Sequence, residues 1–538
     1  KHYLAMNIEQ HRINISKERM LNKLPKNIEL NLISDDFELK TKPMRTQSGV
    51  APVAIMTEPR ECQHGSCTFC PGGVNSYFGS VPKSYTGNEP ASMRAIRNKF
   101  DAYLQVFNRL EHYILLGQIP EKVELIIMGG TFLSYPVDYQ DNFIRDAFQA
   151  MNDFGELFFE NERLNKTKFK EFFEFNLDFK SKERTEIIHE KLLQLKEDTK
   201  LEKEQEKNEA GKIRCVALVI ETKPDICKEK EINQALKLGC TRVEIGVQTL
   251  NNQILKKVNR GHTLDDSIEA TKLLKDSLLK TIFHCMPGLP GSTTEEDINN
   301  FKTLFKDENY KPDGLKIYPC MVMPGTPLYL QYQRGLFRPL RTKEAAEIVA
   351  KGKEFIPKYC RVYRVQRDIP TKVTVDGVGL TNFRQVVHRL MVKNGKKCEC
   401  IRCREIKNEK VDWDKIELKR IDYDSNGGKE VFLSYEYNDK ILGFLRLRKP
   451  FKSFRKEITK KSAGIREVHV YGTAVGIGEK GEIQHKGLGK KLVKEAERIA
   501  KEEWKCDKMA VISGVGVRNY FKYKLGYERD NVYMSKLL

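Results

Sequence analysis

Six apolar, β-rich runs, each followed by a helical stretch, constrain this chain more than any other feature. They fall at Val50–Met56, Val123–Met128, Cys215–Glu221, Arg242–Gly246, Thr281–Met286 and Gly314–Tyr318, with helical patterns such as Ser92–Leu116 and Leu264–Leu279 between them. Strands that alternate with helices lie parallel, because each crossover returns the chain to the same end of the sheet. The series predicts a parallel α/β barrel, whole or partial, with reactive groups at the C-terminal ends of the strands. At 538 residues the chain is too long for one hydrophobic core, so further domains are expected.

The barrel pattern occupies residues 44–327. It is interrupted by Glu156–Lys212, whose density of Lys and Glu suggests an exposed helical insertion. Residues 1–43 form a basic, helical segment, and residues 328–410 a linker with its own cysteine group. Residues 411–538 change character. Val431–Tyr437 and Ile441–Leu447 make a hairpin joined by Asn438-Asp439-Lys440. A strand at Arg466–Tyr471, a helix from Gly487 to about Glu503, a strand at Lys508–Ser513, a short helix and a last strand near Val532–Met534 follow. The expected fold class is α/β: a partial (β/α) barrel, a small metal-binding linker and a C-terminal mixed α/β domain.

Lys and Arg outnumber Asp and Glu by 94 to 74, a net charge of +20. Such an excess favours a polyanionic partner. The N-terminal residues Arg12, Lys17, Arg19, Lys23 and Lys26 are where phosphate contacts are expected. No apolar run is long enough to cross a membrane, and the start lacks the apolar core of a secretory signal. A cytoplasmic location is expected. The chain opens on Lys1 rather than Met, which leaves room for a longer native N-terminus. The 13 cysteines are odd in number and partly clustered, which points to metal sites rather than disulfides.

Cys62, Cys67 and Cys70 follow the first strand in ECQHGSCTFCPGG. Thiolates so spaced can hold three corners of a 4Fe–4S cluster and leave one iron open. That iron can chelate S-adenosylmethionine (SAM), whose reductive cleavage yields a 5′-deoxyadenosyl radical. A structural zinc site, with His64 as fourth ligand, is the competing reading. Polar groups recur at the other strand ends: Met128–Phe132 (MGGTF), Glu221-Thr222-Lys223, Gly246–Thr249 (GVQT), His284–Gly291 (HCMPGLPG) and Lys316–Pro319 (KIYP). Gln248, Lys316 and Tyr318 are the pocket residues this placement selects. Gly129-Gly130-Thr131 resembles the "GGE" element with which radical-SAM barrels bind the SAM amino group; with Thr131 in place of the acid, backbone carbonyls do most of that work.

The runs CPGG, SYTGNEPASMRAIR, MGGTF, ETKPD, GVQT, NRGHT and HCMPGLPG, with REVHVYG, ISGVGVRNY and LGY near the C-terminus, resemble the family of the catalytic subunit of Elongator in its archaeal form. The resemblance covers about Lys42 to Leu538. It implies formation of the 5-carboxymethyl group on wobble uridine of tRNA from acetyl-CoA, with SAM and a 4Fe–4S cluster. A deoxyadenosyl radical would take hydrogen from the acetyl methyl, the carbon radical would add to uridine C5, an electron and a proton would leave, and the thioester would be hydrolysed. It also implies a SAM-site role for Glu221 and Lys223, although Lys223 stands where Arg is common, and the cysteine spacing is shorter than in eukaryotic members. An electron donor is required. The chain is expected to work without the other Elongator subunits, as monomer or homodimer.

Gln484-x-x-Gly487-Leu488-Gly489-Lys490 opens a helix after a strand and matches the pyrophosphate loop of GNAT acetyltransferases, where free helix N–H groups bind phosphate. In that family the preceding strand, here Glu467-Val468-His469-Val470, holds the pantetheine through its backbone. Resemblance also assigns acetyl-CoA to Lys122, and the thioester to a tyrosine that matches either Tyr520 or Tyr523.

Cys398, Cys400 and Cys403, flanked by Lys and Arg, suit zinc. His388 is the first choice of fourth ligand, with Cys320 and Cys360 as alternatives; a second iron–sulfur cluster is the other reading. Two rival functions remain: a protein lysine acetyltransferase using Glu467 or His469 as base, with a structural iron–sulfur barrel, and a tRNA-binding scaffold.

Overall fold

The computed structural model describes residues 49–407, 409, 411–471 and 487–538, together with Ile13, Asn14 and Leu30. The basic segment 1–43, those three residues aside, and the loop residue Gln484 lie outside the described residues.

The barrel is a seven-stranded sheet in sequential order: β1 (Val50–Met56), β2 (Lys122–Met128), β3 (Arg214–Thr222), β4 (Arg242–Gln248), β5 (Lys280–Cys285), β6 (Gly314–Ile317) and β7 (Arg361–Val365). Every pairing in it is parallel. The six strands read from the sequence are all present. The seventh comes from the segment 328–410, which is therefore more than a linker.

Helices cover the convex side: α1 (Ala102–Leu115), α2 (Val137–Phe158), α3 (Leu201–Ala210), α4 (Glu229–Lys237), α5 (Leu264–Asp276), α6 (Thr294–Lys306), α7 (Thr342–Lys353), α8 (Phe383–Lys393) and the short α9 (Ile401–Arg404). Capping boxes, Thr263 with Asp266 and Thr293 with Glu296, start α5 and α6 by satisfying the free N–H groups of the first turn. The insertion Glu156–Lys212 is not simply exposed. Phe169 and Phe173 pack against Phe154 and Phe158 of α2, and α3 buries Leu201, Glu204, Gln205 and Asn208. Asn208 is bonded to Asn152, to the Ile213 carbonyl and to the Cys215 N–H, which ties α3 to the start of β3.

The C-terminal domain is a second seven-stranded sheet, β8 (Glu417–Ser425), β9 (Gly428–Tyr437), β10 (Lys440–Lys449), β11 (Ser462–Val470), β12 (Lys508–Val511), β13 (Glu528–Asp530) and β14 (Tyr533–Leu537), in the order β8-β9-β10-β11-β12-β14-β13. The β9–β10 turn uses Asn438 and Asp439, both with positive φ, as tight hairpins prefer. Helices α10 (Leu488–Arg498) and α11 (Arg518–Leu525) complete the domain.

This domain docks on the N-terminal ends of the barrel strands, the foot of the barrel. Gly514 and Gly516 lie against the first residues of β3; a Cβ on Gly514 would come within 2.1 Å of the Val216 carbonyl oxygen. Arg466 of β11 donates to both carboxylate oxygens of Asp313, before β6, at 2.5 and 2.9 Å. Arg448 of β10 bonds Asp276 and Glu430, and Arg446 joins Glu467 to the Tyr359 carbonyl. Arg446, Arg448 and Arg466 are essentially fully buried, so their charges depend on these acids. Among the described residues no helix is long and apolar enough to cross a membrane.

Candidate active site

The loop after β1 carries Cys62, Cys67 and Cys70 at the head of the barrel. An isolated bridge between Cys62 and Gly65 and the Cys70 N–H to the Cys67 carbonyl, 3.0 Å, fold it into tight turns. Cations surround it. Arg260 Nη1 donates to Cys67 Sγ at 3.6 Å, and the Ser84 N–H donates to Cys70 Sγ at 3.2 Å. His64 Nε2 lies 3.4 Å from Cys67 Sγ, and its Nδ1 lies 3.0 Å from Lys223 Nζ. Burial, then Lys223, lowers the His64 pKa to about 4, so its neutral ring accepts from the ammonium. Burial, then Cys70, raises the Cys62 thiol pKa. Three soft sulfur donors met by N–H donors and fixed cations fit an anionic iron–sulfur cluster.

Arg260 is the residue that the sequence reading left without a role, although its run NRGHT was noted. Its Nε and Nη2 donate to the Gly246 carbonyl at 3.3 and 2.9 Å. A Cβ on Gly246 would lie 2.3 Å from Nη2. The glycine of GVQT is thus the seat of the arginine that braces the cysteine loop. Gly129 and Gly130 both have positive φ, and a Cβ on Gly129 would strike Thr57 Oγ1 at 2.1 Å. Buried Thr131 follows them.

The remaining strand-end residues meet across the concave face. Lys316 Nζ bonds Glu221 at 3.2 Å and also pairs with Glu244. Glu244 accepts from His284 Nε2 at 3.0 Å, and Glu221 from the Tyr85 hydroxyl at 3.0 Å. Burial opposes the charge on Glu244, but Lys316 and then His284 hold its pKa well below the carboxylate range. Tyr318 packs edge-on to His284 at 5.5 Å. Gln248 has φ +70 and, among the described residues, no partner for its buried Oε1; strained backbone of this kind clusters at active sites. Glu244 and His284 were not singled out as site residues. Their contacts lie between strands, where spacing along the chain carries no signal. Glu124 and Arg242 extend this polar interior toward the foot.

The acetyl-CoA half sits at that foot. β11 pairs with β12 over Ser462–Ile465; beyond it, Arg466–Val470 keeps β10 as its strand neighbour and, among the described residues, has no strand on its other edge. Gly487 has φ +78 and caps α10 with no side-chain bond, so the first-turn N–H groups of Leu488, Gly489 and Lys490 point out of the helix. Tyr520 Oη would lie 3.7 Å from a Cβ on Gly489, with Val470 equally near. Tyr523, one turn on, is 70% exposed, whereas Tyr520 adjoins Gly489. Lys122 heads β2 beside Arg214, whose Cβ lies against Gly516.

Glu467 and His469 are poor bases. Burial would raise the Glu467 pKa, but Lys280 and then Arg446 bring it to about 2. Burial lowers that of His469 to about 4. The ligand atoms of Cys398, Cys400 and Cys403 lie within 4.8 Å of one another. His388 is exposed on α8 and outside that group, and Cys320 packs in a separate apolar cluster. Cys360 is fully buried, with its carbonyl accepting from Ile401 and its thiol pKa raised by burial and then by Cys400.

Comparison with known proteins agrees with this division. Residues 59–303 match the Radical SAM superfamily, residues 312–393 the Radical_SAM C-terminal domain, and residues 399–527 the acetyltransferase (GNAT) family. The chain is 48% identical over 511 residues to the tRNA uridine(34) acetyltransferase of Methanocaldococcus jannaschii, covering 93% of this chain and 86% of the relative. It is 39% identical over 544 residues to Elongator complex protein 3 of Saccharomyces cerevisiae, covering 97% and 90%. The solved structure of the archaeal Methanocaldococcus infernus Elp3 with an N-terminal deletion superposes with a TM-score of 0.74 at 42% identity, covering 91% of this chain and all of that one. With a radical-SAM barrel and a GNAT domain docked on its foot, the chain belongs to the family of tRNA uridine(34) acetyltransferases and Elongator complex protein 3.

Proposed function

We propose that this enzyme joins the acetyl group of acetyl-CoA to C5 of the wobble uridine of tRNA, as a carboxymethyluridine synthase. The observation that carries the reading is the pairing, in one chain, of a cation-braced three-cysteine loop at the barrel head with the Arg466–Val470 part of β11 and a helix N-terminus at its foot. A 4Fe–4S cluster on Cys62, Cys67 and Cys70, with SAM at its open iron, supplies the radical chemistry. The protein's own groups do the rest. Arg260 fixes the Cys67 side of the loop, and the Gly129–Thr131 backbone with Lys223 orients SAM. Leu488, Gly489 and Lys490 bind the pyrophosphate through their N–H groups. The backbone of Glu467–Val470 holds the pantetheine, Tyr520 meets the thioester, and Lys122 lies at the acetyl-CoA entrance. The polar interior from Arg242 through Glu244 and Lys316 to Glu221 connects foot and head. There Gln248 and Tyr318 border the pocket for an unstacked base.

The basic segment 1–43 contributes phosphate contacts, which position the tRNA without choosing its sequence. Lysine acetylation as the main activity is disfavoured by the low basicity of Glu467 and His469. In the test, tRNA incubated with SAM, a reductant and acetyl-CoA should gain a C5-carboxymethyl uridine, and should gain none with Cys67→Ala or Gly487→Glu.

Zinc belongs to the same reading, held by Cys398, Cys400 and Cys403; Cys360 lies outside that trio as His388 does, but its buried thiol feels Cys400, which makes it the candidate for the fourth ligand. Anaerobically purified protein should carry about one zinc beside its iron, and Cys400→Ala should lose it. Protein with full iron and no zinc would reject the site.

A further inference from the structure

The tyrosine that faces the pyrophosphate loop stands on a helix gripped from the barrel. Glu209, next to last in α3, lies in the insertion between β2 and β3, not in the C-terminal domain. Its Oε1 accepts from Arg518 Nη1 at 3.0 Å and from Arg529 Nη1 at 2.9 Å. Its backbone carbonyl, one of those that a helix end leaves free, accepts from Asn519 Nδ2 at 3.1 Å. Arg518 and Asn519 open α11, and Arg529 lies just past its end, on β13. One acid thus holds the start of the helix that carries Tyr520 and the strand that follows it.

The grip has a rigid base. Asn208, the preceding residue, is locked onto β3 through the Ile213 carbonyl and the Cys215 N–H. The loop entering α11 rests on the same strand through Gly514 and Gly516. Arg518 is buried, with 4% of its surface exposed, and among the described residues Glu209 is the carboxylate that pairs with it. Removing that acid leaves a buried cation uncompensated at the first residue of α11, so α11 has reason to shift. Tyr520, two residues on, would move relative to Gly489.

We infer that Glu209 is a positioning residue for the acetyl-CoA site: an acid of the barrel insertion that sets where Tyr520 stands against the pyrophosphate loop. The inference rests on the reading of Tyr520 as an acetyl-CoA contact. It makes the charged insertion a working part of the acetyl-transfer half, and it explains why that half is built against β3.

The test is a double-mutant cycle on the full chain, with acetyl-CoA binding measured by calorimetry and SAM cleavage measured in the same preparations. Glu209→Ala should weaken acetyl-CoA binding about tenfold, equivalent to ~1.4 kcal/mol, and leave SAM cleavage within about twofold. Glu209→Gln, which keeps an acceptor oxygen, should fall between Ala and parent. In a Tyr520→Ala background most of the Glu209→Ala effect should vanish, because the two act through one contact. If both residues matter but their effects add, or if Glu209→Ala lowers SAM cleavage as much as acetyl-CoA binding, Glu209 is only a structural tie and the inference fails alone. If Tyr520→Ala binds acetyl-CoA as the parent does, the Tyr520 reading fails and this inference with it.

Discussion

Arg260 reaches from the end of one β-α unit to the sulfur of another, and Gly246 gives it room to do so. A methyl group at Gly246 would sit 2.3 Å from the guanidinium. Gly246→Ala should therefore push Arg260 off Cys67 without touching any candidate ligand. Loss of a charge-assisted hydrogen bond costs about 1.5–3 kcal/mol, so SAM cleavage should fall by about tenfold to a hundredfold while acetyl-CoA binding holds. Cleavage at the parental rate would show that Arg260 plays no part in the cysteine loop. At this scale the sequence was legible where function depends on local spacing. Cys62, Cys67 and Cys70, Gly129-Gly130 and Gly487-Leu488-Gly489 each announce a loop. It was silent where function depends on residues far apart, as with Arg260 and Gly246, Glu244 and Lys316, or Glu209 and Arg518. Tyr520 and Tyr523 lie three residues apart on one short helix, so spacing alone offers both.

At the level of the element, β11 serves both domains. Its Glu467 lies in the part of the strand proposed to hold pantetheine while pairing with Lys280 at the start of β5. The pKa of Glu467 is depressed to about 2, against about 4.3 for an unperturbed glutamate. A depressed carboxylate contributes stability that is fully present above the unfolded value and is lost as pH falls through the folded one. The contribution, up to about 3 kcal/mol, should thus disappear between about pH 4.3 and pH 2. Glu467→Gln should lower the unfolding temperature at pH 7, and its difference from the parent should shrink as pH drops through that window. A difference that stays constant to pH 2 would mean that this pair does not hold the interface.

Elements also mark where sequence reading ran out. β7, with Arg361, Tyr363 and Arg364 among its five residues, is short and polar enough to pass for linker, yet parallel pairing with β6 makes it part of the barrel. β8 is largely exposed and charged, and its apolar alternation is confined to Ile421 and Tyr423. The insertion hid its buried Leu201 and Asn208 among lysines and glutamates. Strong apolar periodicity found the other six barrel strands and the β9–β10 hairpin.

Across the whole molecule, two half-sites stand at opposite ends of a barrel in which β1, β2 and β4, of seven residues each, span roughly 20 Å. The cysteine loop occupies the head and the GNAT domain the foot. Buried arginines fix the domains to each other, and paired charges line the interior between them. This arrangement makes sense if the two halves serve one product: a uridine that carries carbon from acetyl-CoA. The most direct measurement uses acetyl-CoA labelled in its methyl group, with SAM, reductant and tRNA, followed by mass spectrometry of the digested nucleosides and of the protein. The account predicts the label in the C5 substituent of uridine, and none there in Cys67→Ala. Label confined to acetylated lysines, with unmodified uridine in the presence of full SAM cleavage, would contradict it.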